Sequence, residues 1–186
     1  MNVPMLDLGA AYEAQREELH AALQRVLDTQ HFIMGPEVAA FEAELEEYLG
    51  GGHAISCASG SDALLLAMMA LDIGPGDEVI VPVYSFFATA SCVTRVGATP
   101  VWVDVEPDTG NIDPDDVARK MTAQTRAIIP VHLYGQCADM PRIWDIAEKH
   151  GLEVIEDNAQ GIDGRGDTFR QGDRSAAVTT SYIIQK

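Results

Sequence analysis

Between residues 53 and 156 the sequence repeats one rhythm: a short apolar run, a turn or loop, then a stretch with helical spacing. Apolar runs at 53–57, 78–82, 99–103, 126–131 and 152–156 alternate with helical patterns. The helices follow Ser59-Gly60-Ser61-Asp62 as far as Leu71, then cover 86–96, 113–121 and 139–150. Strands that alternate with helices of this length build parallel βαβ units. Gly74-Pro75-Gly76-Asp77 punctuates the pattern as a turn. Upstream, residues 10–28 and 38–49 have amphipathic helical spacing, interrupted at Gly35-Pro36 and ended by Gly50-Gly51-Gly52. Residues 161–174 read as a loop rich in Gly, Asp and Arg, and 175–183 as a further strand. The expected fold class is α/β, a mostly parallel sheet with helices on both faces, preceded by N-terminal helices. The expected division is a helical segment over 1–52 and an α/β region over 53–186. The final stretch, Ser181 to Lys186, stops without a helix or cap, so the chain reads as cut rather than finished.

Charge narrows the range of partners. The net charge is −17, with only 12 Lys and Arg. Nucleic acid and anionic membrane surfaces need clustered cations, so both are excluded as expected partners. The most apolar stretch, Val79 to Ala90, is too short to span a bilayer and contains Pro82. No basic stretch followed by an apolar core opens the chain. Cys57, Cys92 and Cys137 are odd in number and far apart, with no metal-ligand spacing. They read as buried thiols of a reducing compartment, and the expected location is cytoplasmic.

The chemistry concentrates in Val154-Ile155-Glu156-Asp157-Asn158-Ala159-Gln160. An apolar strand delivers an acid to its carboxyl end, where ligands bind in open α/β sheets. Lys186 follows downstream. A fixed acid and a later amine suggest pyridoxal phosphate, which needs a carboxylate at its pyridine nitrogen and a lysine for its aldehyde. Asp157 also fits a helix cap or an ion pair with Arg165. Ser59-Gly60-Ser61 sits between a strand and a helix, where backbone N–H groups favour a phosphate, though Ser59 or Ser61 also fits a plain helix cap. Phe86 lies in the aromatic run that follows 78–82 and suits either stacking on a flat ring or core packing. Gln160 suits a ring substituent or the surface, and Ser181 the same phosphate or a strand. His132 reads as a site residue or a satisfied strand-end histidine.

The chain also resembles the DegT/StrS-type family of pyridoxal-phosphate-dependent nucleotide-sugar aminotransferases, of aspartate-aminotransferase fold. The likeness runs through Phe32-Ile33-Met34-Gly35-Pro36-Glu37-Val38, Ser59-Gly60-Ser61-Asp62-Ala63-Leu64 and Gly74-Pro75-Gly76-Asp77-Glu78-Val79-Ile80. It continues through Ser85-Phe86-Phe87-Ala88-Thr89-Ala90, Gly110-Asn111-Ile112-Asp113-Pro114, Pro130-Val131-His132-Leu133-Tyr134-Gly135-Gln136 and Glu156 to Gln160. The resemblance implies the N-terminal part of the large domain, with 53–186 as its cofactor-binding region and the C-terminal half absent. It implies that Gly60 and Ser61 hold the cofactor phosphate, with Ser181 adding a hydroxyl. Phe86 then stacks on the ring, Asp157 pairs with the ring nitrogen, Gln160 meets the ring hydroxyl, and Lys186 is the catalytic lysine. It also implies a nucleotide-sugar substrate, an amino-acid donor (glutamate expected), no metal and a homodimer. The family's usual segment before this lysine has a proline and a small hydroxyl residue, whereas Ser181-Tyr182-Ile183-Ile184-Gln185-Lys186 has neither there. The 186-residue chain alone is expected to be inactive. Alternatives are a regulatory relative, a sugar dehydratase in which histidine replaces the lysine, and a nucleotide-binding module without the cofactor. Lys186 opposes the second, and no GxGxxG or GxxxxGK[ST] loop supports the third.

Overall fold

The computed structural model describes residues 7–182. The chain divides into two compact units, Met1–Ser56 and Cys57–Lys186. In the first, helix α1 (Leu8–Thr29) is capped by Asp7, whose carboxylate accepts the amides of Gly9 and Ala10. Helix α2 (Pro36–Leu49) starts on Pro36, two residues before the expected Val38, because the first helical position tolerates a residue without an N–H. Arg25 of α1 and Glu37 of α2 form a two-pronged ion pair at 2.7 and 3.0 Å.

The expected strand at 53–57 does not form. Glu42 and Glu46, one turn apart on α2, accept the amides of Ser56 and Ala54. Alternate amides on one edge of the segment are thus taken by carboxylates rather than by a neighbouring strand. Ile55 is 83% exposed.

The second unit holds helix α3 (Gly60–Ala70), strand β1 (Glu78–Pro82), helix α4 (Phe87–Arg95), strand β2 (Thr99–Val103) and helix α5 (Pro114–Lys120). Strand β3 (Thr125–Ile128), helix α6 (Met140–His150), strand β4 (Glu153–Asp157) and strand β5 (Ala177–Thr179) complete it. The strands form one parallel sheet in the order β2-β1-β3-β4-β5. Because side chains alternate along a strand, each of the central strands β1, β3 and β4 feeds two cores. Val79, Val81, Ala127, Ile129 and Ile155 join Leu64 and Met68 of α3 and Cys92 and Val93 of α4. Ile80, Ile128 and Val154 join Val117 of α5 and Met140, Ile143 and Trp144 of α6. Both sheet faces are covered, so the central strands are continuous apolar runs.

The β1–β3 pairing shifts register between Glu78 and Val79. The expected strand 126–131 is assigned only over Thr125–Ile128. Pro130 has no N–H to donate, yet its carbonyl accepts Asp157 N–H at 2.9 Å, and Val131 bridges to Asp157 beyond it. The expected strand 175–183 is three residues long over its described part. The three cysteines do not share one environment. Cys92 is buried and Cys137 half-buried, but Cys57 is exposed, contrary to expectation. No helix among the described residues is long and apolar enough to cross a membrane.

Candidate active site

β4 places two acids side by side at its carboxyl end, and strand alternation sends them to opposite faces. Asp157 continues the face of Ile155, toward α3 and α4. Glu156 continues the face of Val154, toward α6. The backbone at Asp157 is pinned from both sides: its N–H donates to Pro130, its carbonyl accepts His132 N–H at 3.0 Å, and Asn158 N–H reaches Thr179 of β5 at 2.8 Å.

The Asp157 carboxyl is 6% exposed. Its Oδ2 accepts the Thr89 hydroxyl at 2.8 Å, and its Oδ1 accepts Ala159 N–H at 3.3 Å. Burial pushes this carboxyl above the usual range, and the Thr89 and Ala159 bonds offset part of that rise. The alternative partner, Arg165, instead pairs with Asp163 at 3.2 Å. Thr89 is itself buried and receives Ser85 as a hydroxyl neighbour at 3.0 Å. Thr89 is the residue the sequence reading missed; its signal was a Ser and a Thr four residues apart at a helix start.

The same turn of α4 carries Phe86. It is the residue before the first helical position, and its ring is 62% exposed. Core packing does not use it. At α3, Ser59 acts as the cap: its Oγ accepts Asp62 N–H and its carbonyl accepts Ala63 N–H. Gly60 lies against Ser181, since a Cβ on Gly60 would stand 3.0 Å from Ser181 Cβ. The fold therefore brings the first turn of α3 and Ser181, 121 positions apart by number (181 − 60), into contact. Gln160 Oε1 accepts Tyr134 N–H at 2.7 Å. Tyr134 has φ 55°, a left-handed conformation uncommon for a bulky residue, and its hydroxyl meets that of Tyr84 at 3.0 Å. Lys186 lies outside the described residues.

Behind this surface is a second polar centre. Glu156 is fully buried and accepts from His132 Nε2 at 2.9 Å, Gly172 N–H at 2.9 Å and the Ser175 hydroxyl. Ala138 N–H donates to His132 Nδ1, so the histidine proton belongs on Nε2, facing Glu156. Trp144 Nε1 donates to Ser175 at 2.7 Å. His132 is thus a satisfied strand-end histidine. Among the described residues, no cluster of three or more His, Cys, Asp or Glu gathers as metal ligands.

The profile of the DegT/DnrJ/EryC1/StrS aminotransferase family matches residues 13–186. The chain is 47% identical over 186 residues to a pleiotropic regulatory protein of Geobacillus stearothermophilus, covering 100% of this chain and 50% of that protein. It is 46% identical to the dTDP-3-amino-3,4,6-trideoxy-alpha-D-glucose transaminase of Streptomyces venezuelae, covering 99% of this chain and 48% of the transaminase. Among solved structures it is similar to NtdA of Bacillus subtilis with bound cofactor PMP, at TM-score 0.86 and 40% identity, covering 94% of this chain and 39% of that one. The chain spans about half the length of the curated relatives it matches. By sequence and by fold, the chain belongs to the DegT/DnrJ/EryC1/StrS aminotransferase family.

Proposed function

We propose that the full-length protein is a pyridoxal-phosphate-dependent aminotransferase that moves an amino group from an amino acid, glutamate being the expected donor, to a keto group of a nucleotide-linked sugar. One observation carries the reading: a buried carboxyl at a parallel-strand end, raised by burial and held by a hydroxyl and an amide rather than by a cationic side chain. A protonated pyridine nitrogen is the kind of partner such a group suits. The other residues fit the same cofactor. The glycine at position 60 keeps the start of α3 close to Ser181, which suits a phosphate held by the Gly60 and Ser61 amides and the Ser181 hydroxyl. The exposed Phe86 ring, on the helix turn that also carries Thr89, suits the ring face. Tyr134 N–H holds the Gln160 oxygen, which makes the nitrogen the donor end of that side chain, the kind of group a ring hydroxyl would accept from.

Bound there, pyridoxal phosphate supplies an electron sink for the charge that develops when the donor's α-proton leaves. Asp157 would hold the proton on the ring nitrogen, which would keep that sink cationic. Phe86 would cover one face of the ring and exclude water there. The Lys186 amine would take the proton from the donor's α-carbon as a base and, as the conjugate acid, deliver it to the cofactor's C4′. The same reading makes the enzyme cytoplasmic, in keeping with three unpaired thiols. It also makes it a homodimer, in keeping with the exposed Leu23 and Leu27 of α1 and the exposed Phe32, Ile33 and Met34 after it.

Lys186→Ala in the full-length protein tests the proposal. The visible absorbance band of a lysine-linked pyridoxal phosphate should vanish, and turnover should fall by roughly 10²–10⁴. An undiminished band refutes the role of Lys186. The relative named as a regulatory protein supports a second reading, in which the full-length protein binds the cofactor without transaminating. Incubation with pyridoxal phosphate and glutamate separates the two, because only the aminotransferase converts the bound cofactor to its amine form.

A further inference from the structure

Asp157 is held by a chain of two hydroxyls that reaches it from the N-terminal end of α4 and the residue before its cap. Thr89 is 1% exposed and donates to Asp157 Oδ2 at 2.8 Å. A hydroxyl has one proton. With that proton spent on Asp157, the 3.0 Å contact between Ser85 and Thr89 runs from Ser85 O–H to the Thr89 oxygen. Both O–H dipoles therefore point toward the carboxylate, and each favours its charged form in a site where burial opposes charge. Ser85 lies just before the cap residue Phe86, and Thr89 lies in the first turn of α4, so the chain entering the helix brings the two hydroxyls together. Thr89 N–H also bonds to the Phe86 carbonyl at 3.2 Å, so the same turn sets the backbone of Phe86.

The geometry points to Thr89, supported by Ser85, as the positioning residue that keeps Asp157 an anion aimed at the cofactor's ring nitrogen. This rests on the reading of Asp157 as the ring-nitrogen acid. Thr89 touches neither substrate nor cofactor in this account. It acts by holding one oxygen of Asp157 in place and its charge on, leaving the carboxylate's remaining lone pairs for the pyridinium N–H.

The test uses full-length protein loaded with pyridoxal phosphate labelled with ¹⁵N in the ring. Cofactor affinity and the ring ¹⁵N resonance are measured for wild type, Thr89→Val, Thr89→Ser and Ser85→Ala. Valine keeps the volume and removes the hydroxyl. Thr89→Val should weaken cofactor binding by roughly tenfold or more, the effect of losing a hydrogen bond to a charged group. Its ¹⁵N resonance should move toward that of unprotonated pyridine. Thr89→Ser should match wild type, and Ser85→Ala should shift the resonance the same way by less. The inference is overturned if Thr89→Val keeps the wild-type resonance and affinity, or if Thr89→Ser loses as much as Thr89→Val, which would mark a packing role. If Thr89→Val does not fold, an unshifted Ser85→Ala overturns it alone. Wild-type protein that takes up no cofactor overturns the functional reading itself, and the inference with it.

Discussion

Asp116 on α5 and Asp157 at the end of β4 are both buried, at 4% and 6% exposure, yet their carboxyls are driven in opposite directions. Asp116 accepts Asp104 N–H at 2.7 Å and pairs with Arg119 and Lys120 at 2.9 and 3.1 Å. The Asp104 amide, with the two cations, lowers it to about 2. Asp157 has a hydroxyl and one long amide contact, and burial pushes it up. The difference teaches how to tell a structural acid from a functional one in this fold. An acid compensated by the protein's own donors and cations belongs to the scaffold. Under the proposed function, the acid left short of positive charge at a strand end is the one kept for a ligand. Glu156, beside Asp157 but facing the other way, belongs with Asp116: three protein donors converge on it.

Substitutions can break this contrast. The largest expected effect is that of Asp157→Asn, which should cost turnover roughly 10²–10⁴ while stabilising the cofactor-free protein at neutral pH. The sign follows from the raised carboxyl. Below about pH 4 the acid is neutral both folded and unfolded, and as pH rises the unfolded chain ionises first, so stability falls. The mutant's melting advantage should therefore close as pH drops below about 4. A cofactor-free mutant less stable than wild type at neutral pH would break the comparison on its functional side.

Glu156→Ala leaves His132 Nε2, Gly172 N–H and Ser175 without their acceptor, and should cost about 3 kcal/mol by denaturant unfolding. A loss under 1 kcal/mol, on the order of a single surface contact, would show that the network is not structural. Asp116→Asn should cost on the order of 1–2 kcal/mol at neutral pH. Its depressed carboxyl stabilises fully above about pH 4, and that contribution is lost as pH falls toward about 2. Wild type and mutant stabilities should thus converge in acid. Ser59→Ala is the smallest, about 1 kcal/mol for the lost cap of α3.

The alternation of strands and helices was legible because turns and apolar runs carry it locally. Asp157 was legible because an ionisable residue closing an apolar strand is hard to explain by packing. The strand expected at 53–57 failed because its amides are claimed by Glu42 and Glu46, and nothing in the segment itself records which partner its backbone will find. Thr89 was overlooked because its partner lies 68 residues away; inside Ala88-Thr89-Ala90 it reads as filler. Glu156 reads in the sequence only as part of a motif, since its role depends on Gly172 and Ser175, brought to it by the loop that leads into β5.

The most direct test is a crystal structure of the full-length protein with pyridoxal phosphate bound. The account predicts the ring nitrogen at about 2.7–2.9 Å from the Asp157 carboxylate, with Thr89 still bonded to its other side, Phe86 across the ring face and the phosphate against Gly60, Ser61 and Ser181. A cofactor seated elsewhere, or a ring nitrogen facing any group other than Asp157, contradicts it.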